Sequence, residues 1–290
     1  MQKITLGVAV TSLYIKLNQK ILTSAIKKFE EYFEVKLFLP STKPDRFGSV
    51  SVDERVKLIN EAAKECEVVL SLAGGFNQIE LLYRFNELKF SKNNIFVGQS
   101  DNTILANALA RSNKCKVLYG KGFYAMAINK DLTKKRAESL YQSVIKLKNN
   151  NNLELSGKPL QRVSALGILI GGNNYTFDLL QGTEFCPKFN RPFILFMEGE
   201  DILKDSSEVW IDFIRNIDSV LLQKGASENI RGLILGKFPE TIKLKPADYR
   251  KFIEDRSALK NIPIIKDYEC GHNKESSKYL PIGEEVSIKC

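Results

Sequence analysis

Apolar residues in the first half of the chain come in short runs that alternate with longer amphipathic stretches. Ile4–Val10 is a compact apolar run and predicts a strand. Gln19–Phe33 follows with Ile21, Leu22, Ala25, Ile26 and Phe29 at helical spacing, which predicts a helix with one buried face. Val35–Leu39 predicts a second strand, closed by Pro40. Ser51-Val52-Asp53-Glu54 then has the S-x-x-E form of a capping box. The helix it opens carries Val56, Ile59, Ala63 and Cys66 on one face. Val68–Leu72 predicts a third strand ending at Gly74-Gly75, and Ile79–Phe85 reads as helical. Ile95–Val97 predicts a fourth strand, with a helix over Thr103–Leu109. Strands alternating with helices predict an α/β fold with a mostly parallel sheet covered on both faces. Sites in such sheets gather at the carboxyl ends of the strands, where Gly74-Gly75 and Gly98–Ser100 both fall.

The pattern changes after a lysine-rich helix, Leu132–Lys148, and a run of four asparagines, Asn149–Asn152, the best linker candidate. Leu166–Ile170, Phe193–Met197, Gly232–Leu235 and Ile262–Ile265 predict strands separated by longer, irregular spacers. Two domains are therefore expected, 1–148 and a smaller mixed α/β unit over 155–290. Gly171-Gly172-Asn173-Asn174 reads as a turn after a strand.

Composition narrows the function classes. The 290 residues are 43% hydrophobic and 27% charged, which suits a globular chain with a sizeable core. The formal net charge is +9, but the lysines are scattered and the densest cluster is only Lys134-Lys135-Arg136. With no aromatic-interleaved basic stripe and no zinc-finger or RNP motif, no nucleic-acid partner is expected. The five cysteines, Cys66, Cys115, Cys186, Cys270 and Cys290, are odd in number and widely spaced. That pattern fits free thiols in a reducing compartment, so a cytoplasmic location is expected. A single histidine leaves too few ligands for a zinc site. No run has the length of a membrane span, and neither a membrane partner nor a cofactor is expected.

Several residues could carry chemistry. In Asn94–Leu105, NIFVGQSDNTIL, an apolar strand ends on Gly98-Gln99-Ser100-Asp101 with a helix starting at once. Such a turn can hold a serine nucleophile, with the Asp101 N–H at the helix start aimed at an oxyanion. It can equally be a Ser/Asp helix cap. Asn102 stands where a G-x-S-x-G elbow has its second glycine. Gly74-Gly75 can supply a second oxyanion donor or be a plain turn. Phe193–Glu198 is an apolar strand ending on a carboxylate crowded by Glu200 and Asp201. Glu198 can orient a histidine or belong to a solvated acidic turn. His272, in Glu269-Cys270-Gly271-His272-Asn273, is either a packing histidine or the one group suited to acid–base chemistry near neutral pH.

Taken in order, these stretches resemble the serine peptidases that include LD-carboxypeptidases and the microcin C immunity peptidase. The matching pieces are Gly74-Gly75 with Glu80-Leu81-Leu82, Val97–Thr103, Gly167–Asn173 with Gly182-Thr183, Ile194–Glu198, Gly232–Gly236, and Gly271-His272 with Leu280–Gly283. The resemblance implies a Rossmann-like N-terminal domain bearing the nucleophile Ser100. It implies a smaller C-terminal domain bearing the orienting acid Glu198 and the base His272, and it implies a homodimer. Gly75 and Asp101 would form the oxyanion hole. The implied activity is a serine carboxypeptidase acting through an acyl-enzyme on a small peptide such as a muropeptide. The alternatives are an immunity-type hydrolase of peptidyl-nucleotides, and a catalytically silent binding protein of the same fold. The chain departs from the family at Gln99 and Asn102, at Ala73 before Gly-Gly, and after the histidine, where the usual Thr and Pro are missing. Gly-Gly-Phe-Asn-Gln stands nearer the immunity-type branch than the wall-recycling branch.

Overall fold

The computed structural model describes residues 3–149, 153–161, 164–199, 206–238 and 244–289. Its first half forms strands β1 (Ile4–Ala9), β2 (Phe33–Phe38), β3 (Val68–Ser71), β4 (Ile95–Gly98) and β5 (Lys116–Tyr119). All four pairings are parallel, in the order β2-β1-β3-β4-β5. Helices α1 (Gln19–Phe29), α2 (Val52–Glu65) and α3 (Thr103–Ser112) connect β1 to β2, β2 to β3 and β4 to β5, and α4 (Phe123–Ala127) and α5 (Thr133–Lys148) follow β5. β3 and β4 are buried at every residue, as a parallel sheet covered on both faces requires.

The predicted elements are present with shifted ends. The helix expected over Gln19–Phe33 stops at Phe29, because Phe33 already pairs with Ile4 as the first residue of β2. α2 is capped by Ser51, whose hydroxyl accepts from Glu54 N, but the box is only half closed. The Glu54 carboxylate is bound instead by the N–H and hydroxyl groups of Ser41 and Thr42. The segment read as helical over Ile79–Phe85 is a 3-10 stretch, Gln78–Glu87, kinked at Arg84.

The second half builds a seven-stranded mixed sheet from β6 (Glu154–Leu155), β7 (Lys158–Gln161), β8 (Ala165–Asn173), β9 (Phe193–Glu198), β10 (Ile230–Gly236), β11 (Ile264–Tyr268) and β12 (Glu285–Ile288). β8, β9, β10 and β11 are parallel, while β12 and β7 join antiparallel to β8 and β11. Gly171 and Gly172 do not form the expected turn. They extend β8 to Asn173 with φ of +117° and +147°, and Asn173 caps α6 (Asn174–Asp178). The linker expected at Asn149–Asn152 lies largely outside the described residues, as do Glu200 and Asp201.

One hydrophobic cluster runs through both sheets, from Val69, Phe96 and Tyr119 to Ile194, Phe196 and Ile234. Between the sheets, Tyr119 at the end of β5 pairs with Leu280, through Tyr119 N to Leu280 O at 2.7 Å and Leu280 N to Tyr119 O at 2.9 Å. This bridge places the ends of β4 and β5 beside the loop that carries His272. Among the described residues no helix is long and apolar enough to cross a membrane.

Candidate active site

Ser100 sits where β4 hands over to α3 through a 3-10 turn, Ser100–Asn102. Its φ is +63°, in the left-handed region that a residue with a side chain rarely enters. A serine held there at a strand-to-helix junction has a strained backbone, the conformation that the nucleophile-elbow reading calls for. Asn102, in place of the second elbow glycine, holds the turn together. Its side-chain oxygen accepts from Thr11 Oγ1 and Gln78 Nε2, and its amide donates to Ala73 O at 3.1 Å and Gln99 O at 3.0 Å. The buried Asp101 carboxylate accepts from Ser12 Oγ and from Gln78 N at 2.8 Å, while burial pushes its carboxyl upward. The end of β1, the Gly-Gly loop and the serine turn are thus one polar network.

The Gly-Gly loop approaches Ser100 through Gly74. A Cβ there would lie 2.9 Å from Ser100 Cβ and 3.2 Å from its Oγ, whereas one at Gly75 would run into Ser12 and Leu13.

Glu198, the last residue of β9, is fully buried. Its carboxylate receives His272 N at 3.1 Å and lies 2.8 and 2.9 Å from His272 Nδ1. Gly271 makes this approach possible. Its φ is +124°, and a Cβ would stand 2.8 Å from Glu198 Oε2. Burial alone would raise the Glu198 carboxyl. The charge of His272 and the hydrogen bonds from His272 and Tyr119 outweigh it and hold the carboxyl below its ordinary value.

Tyr119 connects this pair to the serine turn. Its hydroxyl donates to Glu198 Oε1 at 2.7 Å and accepts from Ser100 N at 3.1 Å. Burial and the neighbouring carboxylate push its phenol well above the ordinary value, so it stays a donor. From the second sheet, Asn173 N donates to Thr103 Oγ1 at 3.0 Å, and Thr103 Oγ1 donates to Ser100 O at 2.7 Å. Through Tyr119, the structure therefore links the Ser100 backbone N–H, Glu198 and His272 in one hydrogen-bonded chain. Tyr119 gives no signal in the sequence, because the four-residue β5 is too short to show a period. Tyr119→Phe is expected to lower kcat/KM about 10- to 100-fold, the worth of a hydrogen bond to a charged group. Steady-state kinetics with a circular-dichroism check of folding measures it.

Two buried cations border the site. Lys121 is 7% exposed and its amine donates to His272 O at 3.1 Å. Burial first, and then Arg136, push that amine down to about 8. Arg136, read in sequence as part of a charge cluster, is 2% exposed and binds three backbone carbonyls, while its neighbour Lys134 pairs with Glu31 at the surface. Among the described residues no group of three or more His, Cys, Asp or Glu could hold a metal ion.

Comparison with known proteins gives a consistent result. The profile described as the LD-carboxypeptidase N-terminal domain matches residues 7–120, and that of the LD-carboxypeptidase C-terminal domain matches 166–288. A Treponema pallidum protein named "Putative carboxypeptidase" is 28% identical over 267 residues, covering 84% of this chain and 77% of its own. Among solved structures, an MccF-like protein from Bacillus anthracis superposes with a TM-score of 0.82 at 24% identity, covering 100% of this chain and 94% of that one. A muramoyltetrapeptide carboxypeptidase from Oxalobacter formigenes gives 0.73 at 24% identity, covering 99% and 95%. MccF in complex with glutamyl sulfamoyl guanosine gives 0.75 at 19% identity, covering 99% and 93%.

Proposed function

Because the chain belongs to the LD-carboxypeptidase family, its two halves matching that family's N- and C-terminal domains, we propose that it is a serine carboxypeptidase that hydrolyses an amide bond near the C-terminus of a small peptide. The observation that carries this reading is the single assembly of a strained Ser100, Tyr119, and a buried Glu198 bound to His272.

In the proposed mechanism His272 takes the proton of Ser100 as its oxygen attacks the amide carbonyl. Glu198, on Nδ1, fixes the imidazole tautomer so that Nε2 is the base, and it stabilises the imidazolium that forms. The N–H groups of Gly75 and Asp101 hold the oxyanion. His272 then protonates the leaving amine, and the same histidine activates the water that releases the acyl-enzyme. Losing one oxyanion donor costs about 10²- to 10³-fold in rate.

A muropeptide with a C-terminal D-residue is the favoured substrate, in keeping with the similarity to the muramoyltetrapeptide carboxypeptidase. A peptidyl-nucleotide is the second reading, favoured by the fold shared with MccF, which has been solved with glutamyl sulfamoyl guanosine. Trp210, the one tryptophan, is already engaged within the chain, stacked on Phe213 and in edge contacts with Phe238, Tyr249 and Phe252.

The test is release of D-alanine from L-Ala-γ-D-Glu-L-Lys-D-Ala, followed by mass spectrometry. Release by the wild type and none by His272→Ala is the expected result. An intact tetrapeptide beside a cleaved peptidyl-adenylate would move the assignment to the second reading. With both intact, a silent binding protein is what remains.

A further inference from the structure

The loop that carries His272 lacks regular secondary structure, yet its backbone is held tightly. His272 N donates to Glu198. The carbonyls that follow turn toward the first half of the chain. His272 O accepts from Lys121 Nζ, Lys274 O and Ser276 O from the guanidinium of Arg136, and Ser277 O from Ser139 Oγ at 2.6 Å. Arg136 and Ser139 lie on α5, and Lys121 lies just past β5. Arg136 also binds Ala125 O at 3.0 Å and so fixes α4 to the same point.

Both cations are buried, and among the described residues neither is paired with a carboxylate. The Lys121 amine carries three N–H donors, and its described acceptor is a backbone carbonyl. Desolvating a charge for carbonyl partners alone is costly. A neutral donor would satisfy the same carbonyls, so the use of charge here calls for a reason.

We infer that Lys121 and Arg136 are positioning residues that clamp the backbone of the His272 loop from the other half of the molecule, and that the Lys121 charge also sets the protonation range of His272. The inference rests on the reading of Ser100 and His272 as nucleophile and base. A cation held on the histidine's own carbonyl stays within one residue of the imidazole, and its charge disfavours the imidazolium and keeps His272 a free base to lower pH. The Lys121 amine, pushed by burial to about 8, is itself charged below neutrality, where that effect counts. The other charged or titratable groups around the loop are Glu198 on β9, Tyr119 on β5, Tyr268 on β11, Lys135 on α5, Glu269, Cys270, Lys274, Glu275, Lys278 and Tyr279 on the loop itself, and Lys237 after β10, which pairs with Glu275. Of these, Glu198 binds the imidazole directly, while Lys121 donates to the histidine's own carbonyl.

The experiment measures the rate of labelling by a fluorophosphonate across pH, with Lys121→Met, Lys121→Arg, Arg136→Lys, Arg136→Met and the surface control Lys134→Ala. Unfolding midpoints are recorded for each. Lys121→Met and Arg136→Met are expected to label about 10- to 100-fold more slowly, as for loss of a charged hydrogen-bond donor. Lys121→Met is also expected to move the acid limb to higher pH. Lys121→Arg should restore the limb, Arg136→Lys should recover part of the rate, and Lys134→Ala should behave as the wild type. Should Arg136→Met not fold, Lys121→Met and Arg136→Lys carry the test. Wild-type rates in the Met variants overturn the clamp, and so does slowed labelling with an unmoved acid limb and a lowered midpoint, the mark of a merely structural role. A wild type that does not label, or labelling that survives Ser100→Ala, instead overturns the nucleophile reading and the inference with it.

Discussion

Ser100→Ala is expected to reduce kcat by about 10⁶-fold, the scale seen when the nucleophile of a serine triad is removed. The fold should survive, since alanine at this position keeps the same backbone conformation and the turn is held by Asn102 and Asp101, not by the serine hydroxyl. Ser100→Gly separates catalysis from strain. At φ +63° a side chain costs about 1–2 kcal/mol that glycine does not incur. The glycine variant should therefore be as inactive as the alanine variant yet melt at a higher temperature. Turnover of the tetrapeptide and thermal unfolding of the three proteins check this. An alanine variant with wild-type turnover would remove Ser100 from the mechanism.

Glu198→Gln is expected to lower kcat by about 10⁴-fold, as for a triad carboxylate replaced by its amide. The carboxylate only accepts hydrogen bonds here, from the Tyr119 hydroxyl, His272 N and His272 Nδ1. A glutamine NH2 would face one of these donors and turn the imidazole or push it to the wrong tautomer. The same substitution changes the pH dependence of stability. Although burial acts to raise it, the His272 charge and the hydrogen bonds hold the folded carboxyl below its ordinary value. A depressed carboxyl contributes stability above the ordinary carboxylate range and loses it as the pH falls through the lower folded value. The stability advantage of the wild type over Glu198→Gln should thus be present above the ordinary carboxylate range, where the carboxylate is charged, and be lost as the pH falls below that range through the lower folded value. Denaturant unfolding from neutral pH to well below the ordinary carboxylate range, beside tetrapeptide turnover, measures both effects, and a gap undiminished at the acid end would contradict the assignment.

Much of the first sheet was readable along the chain because β1, β3 and β4 are apolar runs and α2 begins on a serine cap. Less was readable in the second half. Strands β6, β7 and β12 are short edge or near-edge elements, and only pairing with their neighbours in the sheet makes strands of them. Gly171 and Gly172 read as a turn because glycine usually signals one, but here the pair lets β8 run on beside Phe196 and Thr103.

The candidate site divides in the same way. Ser100, Glu198 and His272 were legible because each follows an apolar run or stands alone of its kind: a serine after Val97-Gly98-Gln99, an acid closing Phe193–Met197, a sole histidine. The sequence by itself determined the alternation of strands and helices and the residue types available for acyl transfer, since periodicity and chemical identity are local properties. Only the tertiary structure decided that Tyr119 would join the serine turn to Glu198, that Arg136 would leave its surface cluster for the interior, and that Gly271 would let Glu198 reach His272. Each of these depends on residues far apart in the chain coming together, and a partner at such a separation is chosen by how two sheets pack, which no local pattern records.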